Sequence, residues 1–294
     1  MFRLTRFTWV TLVFNMGVIA MGAVVRATGS GAGCGPSWPT CQGVLVPGLE
    51  GATAIEFTHR AMSGVALVLV FALFVGVRRL TPSGHPGRAG ALLSLVAIVG
   101  EALIGALIVL AEWVADDASV ARAVAVPLHL VNTLFLLAAL SLTAWFLGGG
   151  RRLDRLSDPI RWRWLAAGGA AFVVVAATGA VTALADTLFP KGAIGDEGTA
   201  HFLTRLRILH PIVAVGLAAI GWFVARRSPI ARRGRPLIYL PLLVGAMLVS
   251  GGVNIALGTP LWMQVVHLIL ADLLWITFVL TSAQVLESRD RLAV

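Results

Sequence analysis

The hydrophobic pattern of the chain predicts eight helices that cross a membrane. A membrane-spanning helix needs about 20 mostly apolar residues, and backbone polar groups in lipid must pair within their own segment. Strands of a membrane barrel would be about half as long, with polar residues at alternate positions. Eight apolar runs meet the helix requirement: Trp9–Val25, Phe57–Val77, Gly90–Ala111, Ala125–Leu147, Leu165–Leu184, Arg207–Ala225, Leu237–Leu257 and Trp262–Gln284.

The composition agrees with an integral membrane protein. Of the 294 residues, 58% are hydrophobic and 13% are charged, whereas a soluble domain is about a quarter charged and a disordered chain is poor in hydrophobic residues. The net charge of +9 could indicate a nucleic-acid partner. The arginines instead lie in short loops and are not interleaved with aromatic residues, so we expect membrane lipid and no nucleic acid around this chain.

The distribution of positive charge predicts the topology. With the N-terminus inside, 17 of the 23 Lys and Arg residues lie on the inner side, as the positive-inside rule requires. We therefore expect a multi-pass protein of the bacterial inner (cytoplasmic) membrane with both termini cytoplasmic. Arg26 and a Gly-rich stretch follow the first run without a convincing cleavage site, so we interpret it as a span and not as a signal peptide.

A charged inner linker over residues 148–164 divides the chain into an N-terminal half, residues 1–147, and a C-terminal half, residues 165–294. Each half holds four spans in the same orientation, which predicts a parallel repeat of two pseudo-symmetric four-helix bundles. Local patterns recur as well. Gly22 and Gly179 each begin the last turn of the first span of a half, and a His-Leu pair opens the fourth span of each.

Four of the six histidines occupy matched positions in the spans. His85 and His201 lie in loops, and the other four each lie a few residues past the outer end of an even-numbered span, roughly 5–8 Å deep at 1.5 Å per residue; they are His59, His129, His210 and His267. One such histidine could simply bond a neighbouring helix. Four at one depth favour a functional site, because ionisable residues are costly in lipid.

Heme is the ligand that this histidine pattern favours. Zinc sites draw on clustered Cys, Asp or Glu, and a di-iron bundle needs two Glu-x-x-His motifs, of which the chain has one, Glu56-x-x-His59. Histidines on facing helices can hold heme iron from both sides. We therefore predict one heme site in each half, with His59 paired with His129 and His210 paired with His267.

Several charged residues have two interpretations each. The outer cations Arg26, Arg60, Arg205 and Arg207 could pair with heme propionates or extend to the membrane surface as ordinary interfacial residues. Glu56 could be a solvated residue of a first helical turn or a carboxylate beside a heme edge. Glu101 and Asp272, both inside spans, could move protons or bond a neighbouring helix.

The two cysteines, Cys34 and Cys41, lie in the first outer loop. The outer compartment is oxidising, so we expect a disulfide. A structural role is favoured over a redox-active one because the spacing is not that of thioredoxin. Attachment of a c-type heme would need Cys-x-x-Cys-His, which is absent.

These residues resemble the heme A synthase family over nearly the whole chain. The string Arg26-Ala-Thr-Gly-Ser-Gly31, followed by Cys34, Trp38-Pro39 and Cys41, is similar to the first outer loop of that family. Glu56-Phe-Thr-His59-Arg60 is similar to its Glu-x-x-His-Arg motif. The eight spans and the one histidine on each even span agree with it too.

The resemblance implies oxidation of a heme O ring methyl to a formyl group, by two hydroxylations and loss of water, giving heme A for terminal oxidases. It implies heme O as substrate at His59 and His129, heme b as cofactor at His210 and His267, Glu56 as the essential carboxylate and a loop disulfide between Cys34 and Cys41. Two departures stand out. The loop before the sixth span lacks the second cysteine pair of some members, and Pro211 follows His210 where Arg60 follows His59.

Two other functions are weighed against this enzyme. A diheme b-type cytochrome that only carries electrons would use the same four histidines, but it needs neither Glu56 nor the cysteine loop. A transporter built from repeats would show matched helix breaks at mid-membrane, which these spans lack. A heme O synthase, oxidase assembly factors and an electron acceptor are the expected partners. The sequence leaves the acceptor, the oxygen source and the oligomeric state open, a homo-oligomer included.

Overall fold

The structure, a computed structural model, describes residues 2–153, 159–189, 202–227 and 236–287. In these ranges the chain forms nine α-helices and no strand, with a short 3-10 helix at Ser30–Ala32 in the first loop. The helices are α1 (Phe2–Ala27), α2 (Gly51–Leu80), α3 (Gly87–Leu110), α4 (Val120–Leu147), α5 (Pro159–Leu188), α6 (Phe202–Leu206), α7 (Leu209–Arg227), α8 (Pro236–Ala256) and α9 (Leu261–Val285).

Eight of these segments are long and apolar enough to cross a membrane, with α6 and α7 together forming the sixth. The predicted all-helical, multi-pass membrane fold is therefore confirmed. The helices extend as much as seven residues beyond the predicted ends, as where α1 begins at Phe2 and not at Trp9. The hydrophobic pattern marks only the part of a helix in hydrocarbon, whereas the helix continues through the polar headgroup layer.

The core of the N-terminal half lies between α1, α2 and α4. Leu12, Val70, Leu73, Leu137 and Leu140 are fully buried there. Hydroxyl groups among these helices donate to the carbonyl four residues earlier in their own helix, as Thr8 does to Leu4 (2.9 Å). No polar hydrogen of these side chains is then left unpaired in an apolar surrounding.

The two halves share a continuous core. Helix α4 packs on α5 and α9, and α1 also packs on α9. Trp275 of α9 belongs to the apolar core of the N-terminal half, and its Nε1 donates to the Leu134 carbonyl of α4 at 2.8 Å. Its ring also lies beside Phe172 of α5, with centroids 4.9 Å apart. Packing of this kind fixes the position of one half against the other.

Candidate functional site

One cavity of about 3770 Å³ extends through both halves and is bordered by His59, His129, His210 and His267. His59, His129 and His267 lie six to nine residues after the start of α2, α4 and α9. His210 lies in α7, eight residues after the start of α6, which begins the same span. The wall is mostly apolar, and the acids Glu56, Glu101 and Asp272 also border it. The fold thus brings the predicted histidines to one continuous space.

In the C-terminal half, His210 and His267 face each other across a short gap. Their ring centroids are 6.3 Å apart and the ring planes are nearly perpendicular, at 88°. His210 Nδ1 lies 3.1 Å from the Val175 carbonyl oxygen. His267 Nδ1 lies 2.8 Å from the Ser250 hydroxyl. Each ring is therefore held through Nδ1 by the helix that precedes its own span.

These contacts determine which ring nitrogen carries the proton. A carbonyl oxygen can only accept, so His210 donates from Nδ1. Ser250 gives its hydroxyl hydrogen to the Met247 carbonyl at 3.0 Å, so it accepts from His267 Nδ1. Both rings then carry the lone pair on Nε2, which is the arrangement of metal-binding imidazoles whose other nitrogen is held by a neighbouring group.

In the N-terminal half, His129 lies beside a carboxylate. Its Nδ1 is 3.0 Å from Glu101 Oε2, although the present rotation of the ring does not align the two as a hydrogen bond. Glu101 accepts from Asn132 Nδ2 at 2.6 Å and from Thr133 Oγ1 at 3.0 Å. His59 Nδ1 is buried and has no hydrogen-bond partner among the described residues.

Each of the four histidines packs against a glycine of the preceding span. A Cβ built on that glycine would lie 3.0 to 3.8 Å from the imidazole ring, so it would crowd the ring at three positions and only touch it at Gly105. The distances are 3.1 Å from Gly22 to His59, 3.8 Å from Gly105 to His129, 3.0 Å from Gly179 to His210 and 3.3 Å from Gly251 to His267. We call these four glycines the seat glycines. Sequence reasoning matched Gly22 with Gly179 but missed Gly105 and Gly251. A glycine near the end of each span that precedes a histidine could have identified them.

Glu56 is a buried carboxylate, 3% exposed, in the N-terminal part of α2. Its Oε1 accepts from Arg60 Nε at 3.0 Å and from Arg60 Nη2 at 2.5 Å. Its Oε2 accepts from the Cys34 backbone N–H at 2.7 Å. The fixed guanidinium and amide give this carboxylate one defined orientation at the edge of the cavity.

The loop between α1 and α2 is held over this carboxylate by a disulfide and hydrogen bonds. Cys34 and Cys41 form the predicted disulfide and are both buried. Arg60 Nη1 donates to the carbonyls of Ser37 at 2.5 Å and Thr40 at 2.8 Å, both inside the disulfide loop. The disulfide loop, α2 and Glu56 thus form one hydrogen-bonded unit.

Comparison with known proteins identifies the family. Residues 5–54 and 49–279 match the family model COX15-CtaA, a cytochrome oxidase assembly protein. The chain belongs to this family. The predicted resemblance to heme A synthases is therefore confirmed at the level of the family.

The relatives of this chain carry two different names. This chain is 46% identical over 299 residues to a protoheme IX farnesyltransferase of Thermus thermophilus, a match that covers 97% of this chain and 49% of that protein. It is 36% identical over 109 residues to a heme A synthase of Bacillus pumilus, covering 37% of this chain and 36% of that protein. A heme A synthase of Bacillus licheniformis is 38% identical over 97 residues, covering 33% of this chain and 32% of that protein. The chain thus spans about half the length of the Thermus relative.

Two of the arginines predicted to pair with propionates form hydrogen bonds or an ion pair with other residues of the chain. Arg26 of α1 reaches the C-terminal half, where it donates to the Ala183 carbonyl at 2.7 Å, to Thr187 at 2.5 Å and to Gln264 of α9 at 2.8 Å. Arg207 pairs with Asp186 at 2.7 Å and donates to carbonyls at the end of α5.

Arg26, Arg60 and Arg207 border the cavity, whereas Arg205 is exposed in α6 and is not among the bordering residues. Their pairing with propionates stays a prediction. Arg122, which is not among the predicted propionate partners, is buried at the start of α4 and borders the same cavity.

The remaining titratable groups are dispersed. Asp272 of α9 is 1% exposed, and its Oδ2 has no hydrogen-bond partner within the described ranges. His85 accepts from the Gly87 backbone N–H at 3.1 Å, in the turn between α2 and α3. His201 lies outside the described residues. Nowhere in the described parts of the chain do three or more His, Cys, Asp or Glu side chains gather as the ligands of a bare metal ion.

Proposed function

We propose that this chain is the heme A synthase of its membrane and oxidises a ring methyl of heme O to a formyl group. The observation that carries the proposal is the arrangement of four glycine-seated histidines on one cavity, with the buried Glu56 beside only one pair of them. Membership of a cytochrome oxidase assembly family supports it. The partial matches to two heme A synthases support it as well.

The residues at both sites fit a heme. His210 and His267 present Nε2 from facing helices, and the seat glycines leave room for the rings at close helix approach. The mostly apolar wall suits a macrocycle, and the cations at the outer end suit its propionates. We assign heme b to His210 and His267, and the substrate heme O to His59 and His129. Bound heme supplies oxidative chemistry that amino-acid side chains lack.

The chain's own groups provide placement and proton handling. Each hydroxylation replaces a methyl C–H with C–OH. The oxygen atom comes from water, and two protons and two electrons are released. The diol formed by the second hydroxylation loses water to leave the formyl group. In this proposal Glu56 accepts a released proton or stabilises positive charge that develops near the methyl. Arg60 and the Cys34 N–H hold the carboxylate in place. The electrons leave to an acceptor of the membrane.

The Thermus relative leads us to propose a supplier of the substrate. That protein is named a protoheme IX farnesyltransferase and is about twice as long as the stretch that this chain matches. We propose that this chain receives heme O from a farnesyltransferase of the same membrane, acting as a separate protein or as a neighbouring part of a longer chain. From the positive charges we further propose the bacterial inner membrane, with both termini cytoplasmic.

A diheme electron carrier is the second candidate, because the glycine-histidine pairs recur alike in both halves. Co-expression with a heme O synthase, in a host that makes no heme A, separates the two. We expect a heme A peak when the extracted hemes are resolved by chromatography with mass detection. Heme b and heme O without heme A, from a folded protein with normal heme b spectra, would support the carrier.

The Glu56→Gln variant tests the carboxylate. We expect heme A formation to fall at least about a hundred-fold, as for loss of a general acid or base. Glu50→Gln is the matched control, because Glu50 is exposed, precedes the same helix and caps it with no side-chain hydrogen bond. Unchanged heme A formation by Glu56→Gln would refute the role of Glu56.

A further inference from the structure

Glu101 is the feature that the proposed reaction leaves unexplained. It lies in the middle of α3, and its carboxylate is mostly covered, with the side chain 17% exposed. A carboxylate at this depth is costly and tends to have a function. Asn132 and Thr133 of α4 donate to its two oxygens, and Asn132 also donates to the Ala97 carbonyl at 2.8 Å. The carboxylate is therefore held in one place, 3.0 Å from His129 Nδ1.

The register of the helices makes this acid distinctive. Four residues before the seat glycines Gly22, Gly105, Gly179 and Gly251 stand Val18, Glu101, Val175 and Met247. In each helix this position lies one helical turn before the seat. At two of the others the ring meets neutral groups: the Val175 carbonyl binds His210, and Ser250, fastened to Met247, binds His267. Position 101 alone supplies a negative charge.

We propose that Glu101 is a positioning residue that binds the Nδ1–H of His129 and makes this histidine a stronger donor to iron than His210 or His267. A small rotation of the imidazole completes the hydrogen bond. A carboxylate on the outer nitrogen fixes the tautomer and raises the basicity of the ligating one. The inference rests on the proposed assignment of heme to His59 and His129. Its consequence is that the hemes of the two halves differ electronically although their scaffolds match.

Redox titration of the purified full chain, loaded with heme and followed by its absorbance without turnover, tests the proposal. A stronger donor favours ferric iron, so Glu101→Gln should raise the midpoint potential of the N-terminal heme and leave the other unchanged. A ten-fold change in the ratio of ferric to ferrous binding is the low end of the effect of a group hydrogen-bonded to a metal ligand. It corresponds to a shift of about 59 mV for a one-electron couple. The His267→Ala variant, which lacks one proposed ligand of the C-terminal site, assigns the two components.

Three variants separate an electronic role from a structural one. In Glu101→Gln the amide oxygen can still accept from Asn132. The amide NH2 can donate to Thr133 Oγ1, whose own hydrogen then goes to the His129 carbonyl at 3.0 Å, so α3 and α4 stay joined. Glu101→Asp keeps a carboxylate, so its N-terminal midpoint potential should lie between those of Glu101→Gln and the unmodified chain. Glu112→Gln, at an exposed acid just past the end of α3, should leave it unchanged.

The outcomes distinguish this inference from the proposed function. An N-terminal potential that is equal in Glu101→Gln and in the unmodified chain overturns the inference, whatever the heme A yield. A raised potential in a chain that makes no heme A supports the inference and overturns the proposed reaction. Failure of the His59 and His129 pair to bind any heme overturns both.

Discussion

Replacing a seat glycine with alanine should weaken heme binding in proportion to the crowding at that position. At Gly179 the added Cβ would lie 3.0 Å from His210 Cε1, whereas ordinary contacts span 3.4–4 Å. The ring would have to move by about 0.4 Å to restore an ordinary contact. Cε1 is bonded to Nε2, so the ligating nitrogen moves with it. Overpacking of this size costs roughly 1–3 kcal/mol, which is on the order of ten- to a hundred-fold in affinity.

The assay is a heme b titration of the purified apoprotein, followed by the Soret band. Gly251→Ala, with its Cβ 3.3 Å from His267, should weaken binding less than Gly179→Ala does. Gly216 of α7 is the matched control, because a Cβ there meets nothing within 4 Å and Gly216 is not among the residues that border the cavity. Gly216→Ala should bind heme b normally and unfold at the same temperature or higher, since alanine favours a helix.

The order of the effects can refute this reasoning. In the N-terminal half, the same titration with heme O should show a larger loss for Gly22→Ala, at 3.1 Å, than for Gly105→Ala, at 3.8 Å. Equal affinities for Gly179→Ala and Gly216→Ala, with both proteins folded, would show that the glycines serve only helix packing. The seat would then have no bearing on heme.

Two further predictions concern the fastening of the site. Cys34→Ser should lower heme A formation while the heme b spectrum persists, because an open loop no longer holds the Cys34 N–H against Glu56 at 2.7 Å; unchanged heme A yield would separate the loop from catalysis. Arg26→Ala should lower the thermal unfolding temperature, because it removes the three hydrogen bonds from α1 to α5 and α9 and leaves buried acceptors, each costing about 1–3 kcal/mol. An unfolding temperature equal to that of the unmodified chain would show that Arg26 does not join the halves.

Hydropathy predicted the eight spans because lipid allows only helices and closed barrels. The apolar runs are too long for the strands of a barrel. The ends were less predictable, as at α2, which begins at Gly51 and not at Phe57. Interfacial residues tolerate both helix and loop, so the apolar pattern carries no signal there. The break between α6 and α7 at Arg207 and Ile208 falls in such a stretch.

Side-chain contacts across the halves were beyond sequence reasoning. The positions of Arg26 and Arg60 predicted a common role at the outer surface. In the structure Arg60 binds its own helix and loop, whereas Arg26 crosses to the other half. Both arginines lie near helix ends, and only the packing of α1 against α9 distinguishes them. The histidines were predictable because their depth repeats along the chain, which requires no knowledge of packing.

The two halves differ in the acids at matched positions. Three residues before His59 stands Glu56, and three before His210 stands Arg207, which pairs with Asp186. Position 101 carries an acid where its counterpart in the C-terminal half is Met247. A repeated scaffold holds imidazoles alike in both halves, so a difference in reactivity has to come from the groups around them. In our proposal, the half that carries Glu56 and Glu101 therefore handles protons with the substrate, and the half whose rings meet Val175 and Ser250 exchanges electrons alone.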